Sequence, residues 1–122
     1  MIKLKKDEGL TLQAIQGLVL EMVKKCDLET SPELRYIDLT SEMGELGKEL
    51  LKGSNYGKQD FNKTNNLESE MGDTLFSLTC IANSLDIDLS KALIGVIQKY
   101  NNRFAEKGSI GSEKLKKEEQ GI

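Results

Sequence analysis

Four stretches of this 122-residue chain space their apolar side chains three and four residues apart, and none alternates them over a convincing length. That period suits helices with one buried stripe, whereas a half-buried strand needs alternation. Thr11 is placed to cap a first helix reaching about Cys26, with Leu12, Ile15, Val19, Met22 and Val23 on one face. Ser31 followed by Pro32 reads as the cap and first position of a second helix, which runs to about Lys52 with Gly53 as its stop. Thr64 or Asn65 opens a third, Asn65 standing at capping-box spacing from Glu68, and this helix ends near Leu85. Asp86 or Asp88 caps a fourth that runs to about Lys107, with Leu89, Leu93, Val96, Tyr100 and Phe104 in one stripe. The expected fold is all-α, a four-helix single domain over residues 1–122 with its core at about 11–107 and a flexible, charged tail at 108–122. Consecutive helices pack antiparallel in such a domain. A chain this short buries little surface alone. The reading therefore completes the bundle in a homodimer or homotetramer, with the first helix and the apolar faces of the third and fourth between subunits.

What the chain lacks narrows its chemistry. It contains no His, which removes His-based acid–base catalysis, Ser-His-Asp triads and His-containing zinc or di-iron sites. Cys26 and Cys80 are isolated, with no CxxC and no disulfide framework, as suits a reducing compartment. Cys80 reads as a small buried filler. The start, MIKLKKDEGL, is too polar for a signal peptide, and no run of eighteen apolar residues suggests a membrane span. A net charge of −3 argues against binding duplex DNA by phosphate neutralisation. The expectation is a cytoplasmic protein with neither nucleic-acid nor membrane partners, whose chemistry rests on carboxylates, Lys, Arg and hydroxyls.

One internal echo stands out. Ser41-Glu42-Met43-Gly44-Glu45 returns as Ser69-Glu70-Met71-Gly72-Asp73, once in the second helix and once in the third. Residues three apart share a helix face, so two antiparallel helices can bring both acid pairs together. Acidic helix faces are most often merely solvated, and that is one reading. The other is a shared cation site. Each pair encloses a Gly, which costs a helix interior about 1 kcal/mol relative to Ala, as if the backbone there must approach something closely. Each pair also sits among apolar neighbours: Leu39, Met43 and Leu46 around the first, Met71, Leu75 and Phe76 around the second. Four clustered carboxylates raise one another's pKa unless a cation compensates. All-oxygen ligation selects Mg²⁺, with Mn²⁺ as a substitute, over zinc or copper.

Glu42-x-x-Glu45, a spacer and Glu70-x-x-Asp73 together resemble the MazG-type all-α nucleoside triphosphate pyrophosphohydrolases. The likeness runs on through Gly72-Asp73-Thr74-Leu75-Phe76-Ser77-Leu78, the Leu85-Asp86-Ile87-Asp88 break and Lys99-Tyr100-Asn101-Asn102-Arg103-Phe104. It spans about Leu34 to Phe104. The resemblance implies Mg²⁺-dependent cleavage of the α–β phosphoanhydride of a nucleoside triphosphate to the monophosphate and pyrophosphate, with removal of non-standard nucleotides as one use. It implies that Glu42, Glu45, Glu70 and Asp73 are the metal ligands at the catalytic site; without His, a carboxylate not fully used in ligation can take the water's proton, Glu45 being preferred. Lys99 and Arg103 correspond to basic positions that can touch phosphates, although on their helix they could equally snorkel or pair with acids. Lys52 and Lys58 flank the long 53–63 loop and either meet the phosphates or stay solvated. Tyr56 or Phe61 from that loop either lines a base slot or anchors the loop.

Two departures from the family pattern are visible. Ser41 stands where the family often has a second acid, and Cys80 stands where many members carry Asn. The related phosphoribosyl-ATP pyrophosphohydrolases and a non-catalytic, nucleotide-sensing oligomer are the rival readings.

Overall fold

The computed structural model describes residues 9–111, which contain four α-helices and no strand. These are α1 (Leu12–Lys25), α2 (Pro32–Gly53), α3 (Leu67–Ser84) and α4 (Leu89–Lys107). The part of the expected tail from residue 112 onward lies outside the described residues. The chain divides into two compact units, one ending at Asp88 and one beginning at Leu89.

The first two helix starts follow from local chemistry. Thr11 has extended backbone, and its hydroxyl accepts the Ala14 N–H at 3.0 Å. Ser31 does the same for Leu34, with Pro32 in the first turn of α2. Each arrangement satisfies a donor that has no intrahelical partner.

Helices α1, α2 and α3 all end with a residue in the left-handed conformation just past the cap: Asp27 (φ 50), Asn55 (φ 47) and Asp86 (φ 55). Behind each, the next N–H reaches back to the last turn, as in Leu28 to Val23, Tyr56 to Leu51 and Ile87 to Ala82. Asn and Asp tolerate this conformation better than other residues with a side chain.

That pattern corrects two expectations. Gly53 is not the stop of α2; it is the last helical residue and is buried, and Asn55 supplies the left-handed turn. Gly53 is needed for space, because a Cβ there would collide with the Phe61 ring and lie 2.8 Å from the Asn62 carbonyl. Asp86, similarly, closes α3. The start of α3 also shifts: Asn66 is its cap, with helical backbone and no side-chain bond. The Thr64 hydroxyl is engaged elsewhere, donating to the buried Glu49 at 2.7 Å.

In the first unit, α2 pairs with α3 and α1 also packs on α3. Both pairings are antiparallel: Arg35 and Asp38 meet Ser77, whereas Glu49 further along α2 meets Thr64 before α3. Along α1, Gln13 bonds Asp88, and Gln16 bonds Asn83 and the Ile87 carbonyl. Val19, Val23 and Cys80 form the core of this side, with Ile15, Leu28 and Phe76 against them. Of the second unit, α4 has no buried residue along its length, and Leu93, Ile97, Tyr100 and Phe104 are exposed. Gly108 (φ 71) follows its end, its N–H bonded to the Phe104 carbonyl.

Candidate metal centre

Antiparallel pairing fixes which acids can meet. With Asp38 opposite Ser77, the next turn of α2 carries Glu42 and the preceding turn of α3 carries Asp73 and Glu70. Glu42, Glu70 and Asp73 each offer a carboxylate oxygen, and the three oxygens lie within 4.8 Å of one another. Opposite oxygens of a magnesium octahedron are about 4.2 Å apart, so small side-chain rotations suffice for common ligation. The donor set is all oxygen, which suits a hard divalent cation.

The arrangement has an electrostatic signature. The Glu42 carboxyl is raised from its ordinary value, first by desolvation and then by Asp73, Asp38, Glu70 and Glu45. An acid pushed this way is relieved either by a proton or by a cation.

The fourth acid of the repeat behaves differently. Glu45 is exposed on α2 and is not part of the converging group. The glycines inside the two motifs have open space beside them. A Cβ on Gly44 or Gly72 would meet nothing within 4 Å among the described residues.

The remaining expected site residues are spread over both units. Lys52 is half exposed and pairs with Glu49 at 3.6 Å. Tyr56 is exposed in the left-handed turn after α2. Phe61 packs its ring on Gly53, which makes it an anchor of the loop. On α4, Lys99 and Arg103 both lie over the Tyr100 ring, 5.4 and 5.9 Å from its centre. Arg103 also donates to the Ile110 carbonyl at 3.2 Å.

Three residues beside the acids carry no recognisable sequence signal. Arg35 is buried on α2; its Nη2 lies 3.3 Å from Asp38 Oδ2 and donates to Ser77 Oγ at 3.4 Å. Ser77, also buried, donates to Asp38 at 2.9 Å. Among so many charged residues a buried Arg looks like any surface one, and only the cross-helix register reveals it.

Further along α3, a cavity of about 200 Å³ is lined by Leu20, Val23, Thr30, Cys80 and Ser84, among others. Burial pushes the Cys80 thiol up, with Arg35 partly opposing. That suits a packing role rather than a nucleophile.

The MazG nucleotide pyrophosphohydrolase domain model matches residues 30–106, a span that includes both acidic motifs. The chain belongs to this family of hydrolases. Among MazG relatives, the Bacillus subtilis protein YpjD is 42% identical over 76 residues, covering 60% of this chain and 67% of that protein. The crystal structure of YPJD from Bacillus subtilis, described there as a candidate pyrophosphatase, matches with a TM-score of 0.66 at 37% identity, over 79% of this chain and 98% of that one. A Bacillus-conserved MazG protein, described as a nucleotide pyrophosphohydrolase, matches with a TM-score of 0.65 at 35% identity, over 76% and 92%. No helix among the described residues of this MazG domain is long and apolar enough to cross a membrane.

Proposed function

We propose that this MazG-family chain is a Mg²⁺-dependent pyrophosphohydrolase that cleaves the α–β linkage of nucleoside triphosphates, non-standard ones included, to a monophosphate and pyrophosphate. The convergence of Glu42, Glu70 and Asp73 across the α2–α3 seam carries this reading. These three carboxylates hold Mg²⁺, for which Mn²⁺ substitutes. When bound, the ion screens the triphosphate charge and makes water a better nucleophile at neutral pH.

Glu45, exposed and outside the converging group, is free to take the proton of the attacking water. Water oxygen bonds to one phosphorus of the α–β linkage, and the bridging oxygen leaves with its electron pair on the other phosphate. Lys99 and Arg103 on α4, together with Lys52, supply positive charge for the phosphates. The nucleoside fits the cavity beside Cys80, two turns along α3 from Asp73 and so about 10 Å along the helix axis. The reading extends to a cytoplasmic homodimer or homotetramer, in which the exposed apolar residues of α4 meet another copy.

The test incubates the protein and Mg²⁺ with a panel of canonical and modified triphosphates and with phosphoribosyl-ATP, assaying pyrophosphate and orthophosphate separately. Pyrophosphate released from free triphosphates supports the proposal. Orthophosphate alone refutes the bond assignment, activity confined to phosphoribosyl-ATP refutes the substrate class, and Mg²⁺ binding without turnover favours a sensing role.

A further inference from the structure

Arg35 is a charged side chain buried at the α2–α3 seam, and its Nε has no hydrogen-bond partner. Leaving a buried polar atom unsatisfied costs free energy, so the rest of the guanidinium must be strongly held. Three observations show how. Nη2 reaches both Asp38 Oδ2 and Ser77 Oγ. The Ser77 hydroxyl closes the triangle by donating to the same Asp38 oxygen. The guanidinium carbon sits 5.9 Å from the centre of the Phe76 ring on α3.

Helical spacing gives this triangle its significance. Asp38 is four residues before Glu42 on α2, and Ser77 is four residues after Asp73 on α3, so each lies one turn away on the same face as a member of the acid group. The Asp38–Ser77 bond therefore joins the two helices at the rung next to the one where Glu42 and Asp73 converge. Asp38 is itself committed to Arg35 and Ser77, and it does not belong to the converging group.

We infer that Arg35, acting through Asp38 and Ser77, is a positioning residue that sets the spacing of α2 against α3 at the acid group and so tunes its affinity for a divalent cation. The inference rests on the proposed metal-dependent reading of that group. Residues that orient metal ligands from behind typically change affinity by about ten- to a hundred-fold when removed.

The experiment compares the full chain with Ser77→Ala, Arg35→Met and Arg35→Lys. Mg²⁺ affinity is measured by titration calorimetry at a temperature well below every unfolding midpoint, alongside metal-free thermal unfolding and turnover at saturating Mg²⁺. Ser77→Ala removes one hydroxyl from a buried site and leaves the helix intact, so it keeps the test open should Arg35→Met not fold. The expected result is Mg²⁺ affinity weakened about ten-fold in Ser77→Ala and further in Arg35→Met, with part of the loss regained in Arg35→Lys. Turnover at saturating Mg²⁺ changes far less than affinity. Unchanged Mg²⁺ affinity in a Ser77→Ala protein that has only lost thermal stability would overturn the inference while leaving the proposed function standing. No Mg²⁺ binding by the unaltered chain would overturn both.

Discussion

Glu42 of α2 and Asp73 of α3 are remote in sequence, yet each places a carboxylate oxygen within 4.8 Å of the other and of Glu70. Nothing on either helix alone dictates that. It follows from antiparallel register, which the Asp38–Ser77 bond fixes one turn away. Like charges so close are unfavourable without compensation, and the raised Glu42 carboxyl shows the strain.

Removing one charge from the group should separate function from fold. Glu70→Gln and Asp73→Asn each keep the side chain's size while losing a hard anionic ligand. Turnover should fall at least about a thousand-fold, the barrier rising by about 4 kcal/mol. Helical circular dichroism should be unchanged, and metal-free thermal stability equal or slightly higher because repulsion is relieved. Retained turnover in either variant would remove that residue from the catalytic site.

The raised Glu42 carboxyl also sets a pH dependence. A carboxyl whose folded-state pKa lies above its unfolded value makes the metal-free fold most stable below the ordinary carboxylate range. That contribution is lost as pH rises through the raised value. Mg²⁺ competes with the proton for the same oxygens, so its stabilisation should run the other way, large at pH 8 and small at pH 5. Thermal unfolding with and without Mg²⁺ at the two pH values measures this. An Mg²⁺ shift that is larger at pH 5 would contradict it.

The glycines predict opposite outcomes at two places on α2. At Gly53 a Cβ meets the Phe61 ring and the Asn62 carbonyl, so Gly53→Ala should destabilise by about 1–3 kcal/mol in chemical denaturation. At Gly44 the space is open, so Gly44→Ala should stabilise by about 1 kcal/mol. Gly72→Ala on α3 should behave like Gly44→Ala. A more stable Gly44→Ala or Gly72→Ala protein with lost turnover would show that the substrate fills the space the chain leaves open.

Much of this fold is legible in the sequence where the deciding chemistry is local. Thr11, Ser31 and Pro32 announce helix starts because a hydroxyl or a missing N–H acts within one turn. Gly53 misleads because glycine is the default left-handed residue, whereas here Asn55 makes the turn and the loop needs the glycine's lack of a side chain. The start of α3 misleads for a long-range reason, the Thr64 hydroxyl being bonded to Glu49. At the candidate site, the repeated acid spacing identifies Glu42, Glu70 and Asp73, because a three-residue offset maps directly onto a helix face. It places Glu45 with them, although that side chain stays exposed. Arg35, Asp38 and Ser77 are invisible in the sequence because their roles depend on register between helices.

The most direct test of the central claim, that three acids from two helices hold one divalent cation, is a Mn²⁺ titration followed by electron paramagnetic resonance. The account predicts loss of the free-ion signal on adding the unaltered chain, saturably and with Mg²⁺ in competition, and weakened binding in Glu42→Gln, Glu70→Gln and Asp73→Asn alike. A free Mn²⁺ signal that the chain does not reduce, or one that the three variants reduce as strongly as the unaltered chain does, would contradict it.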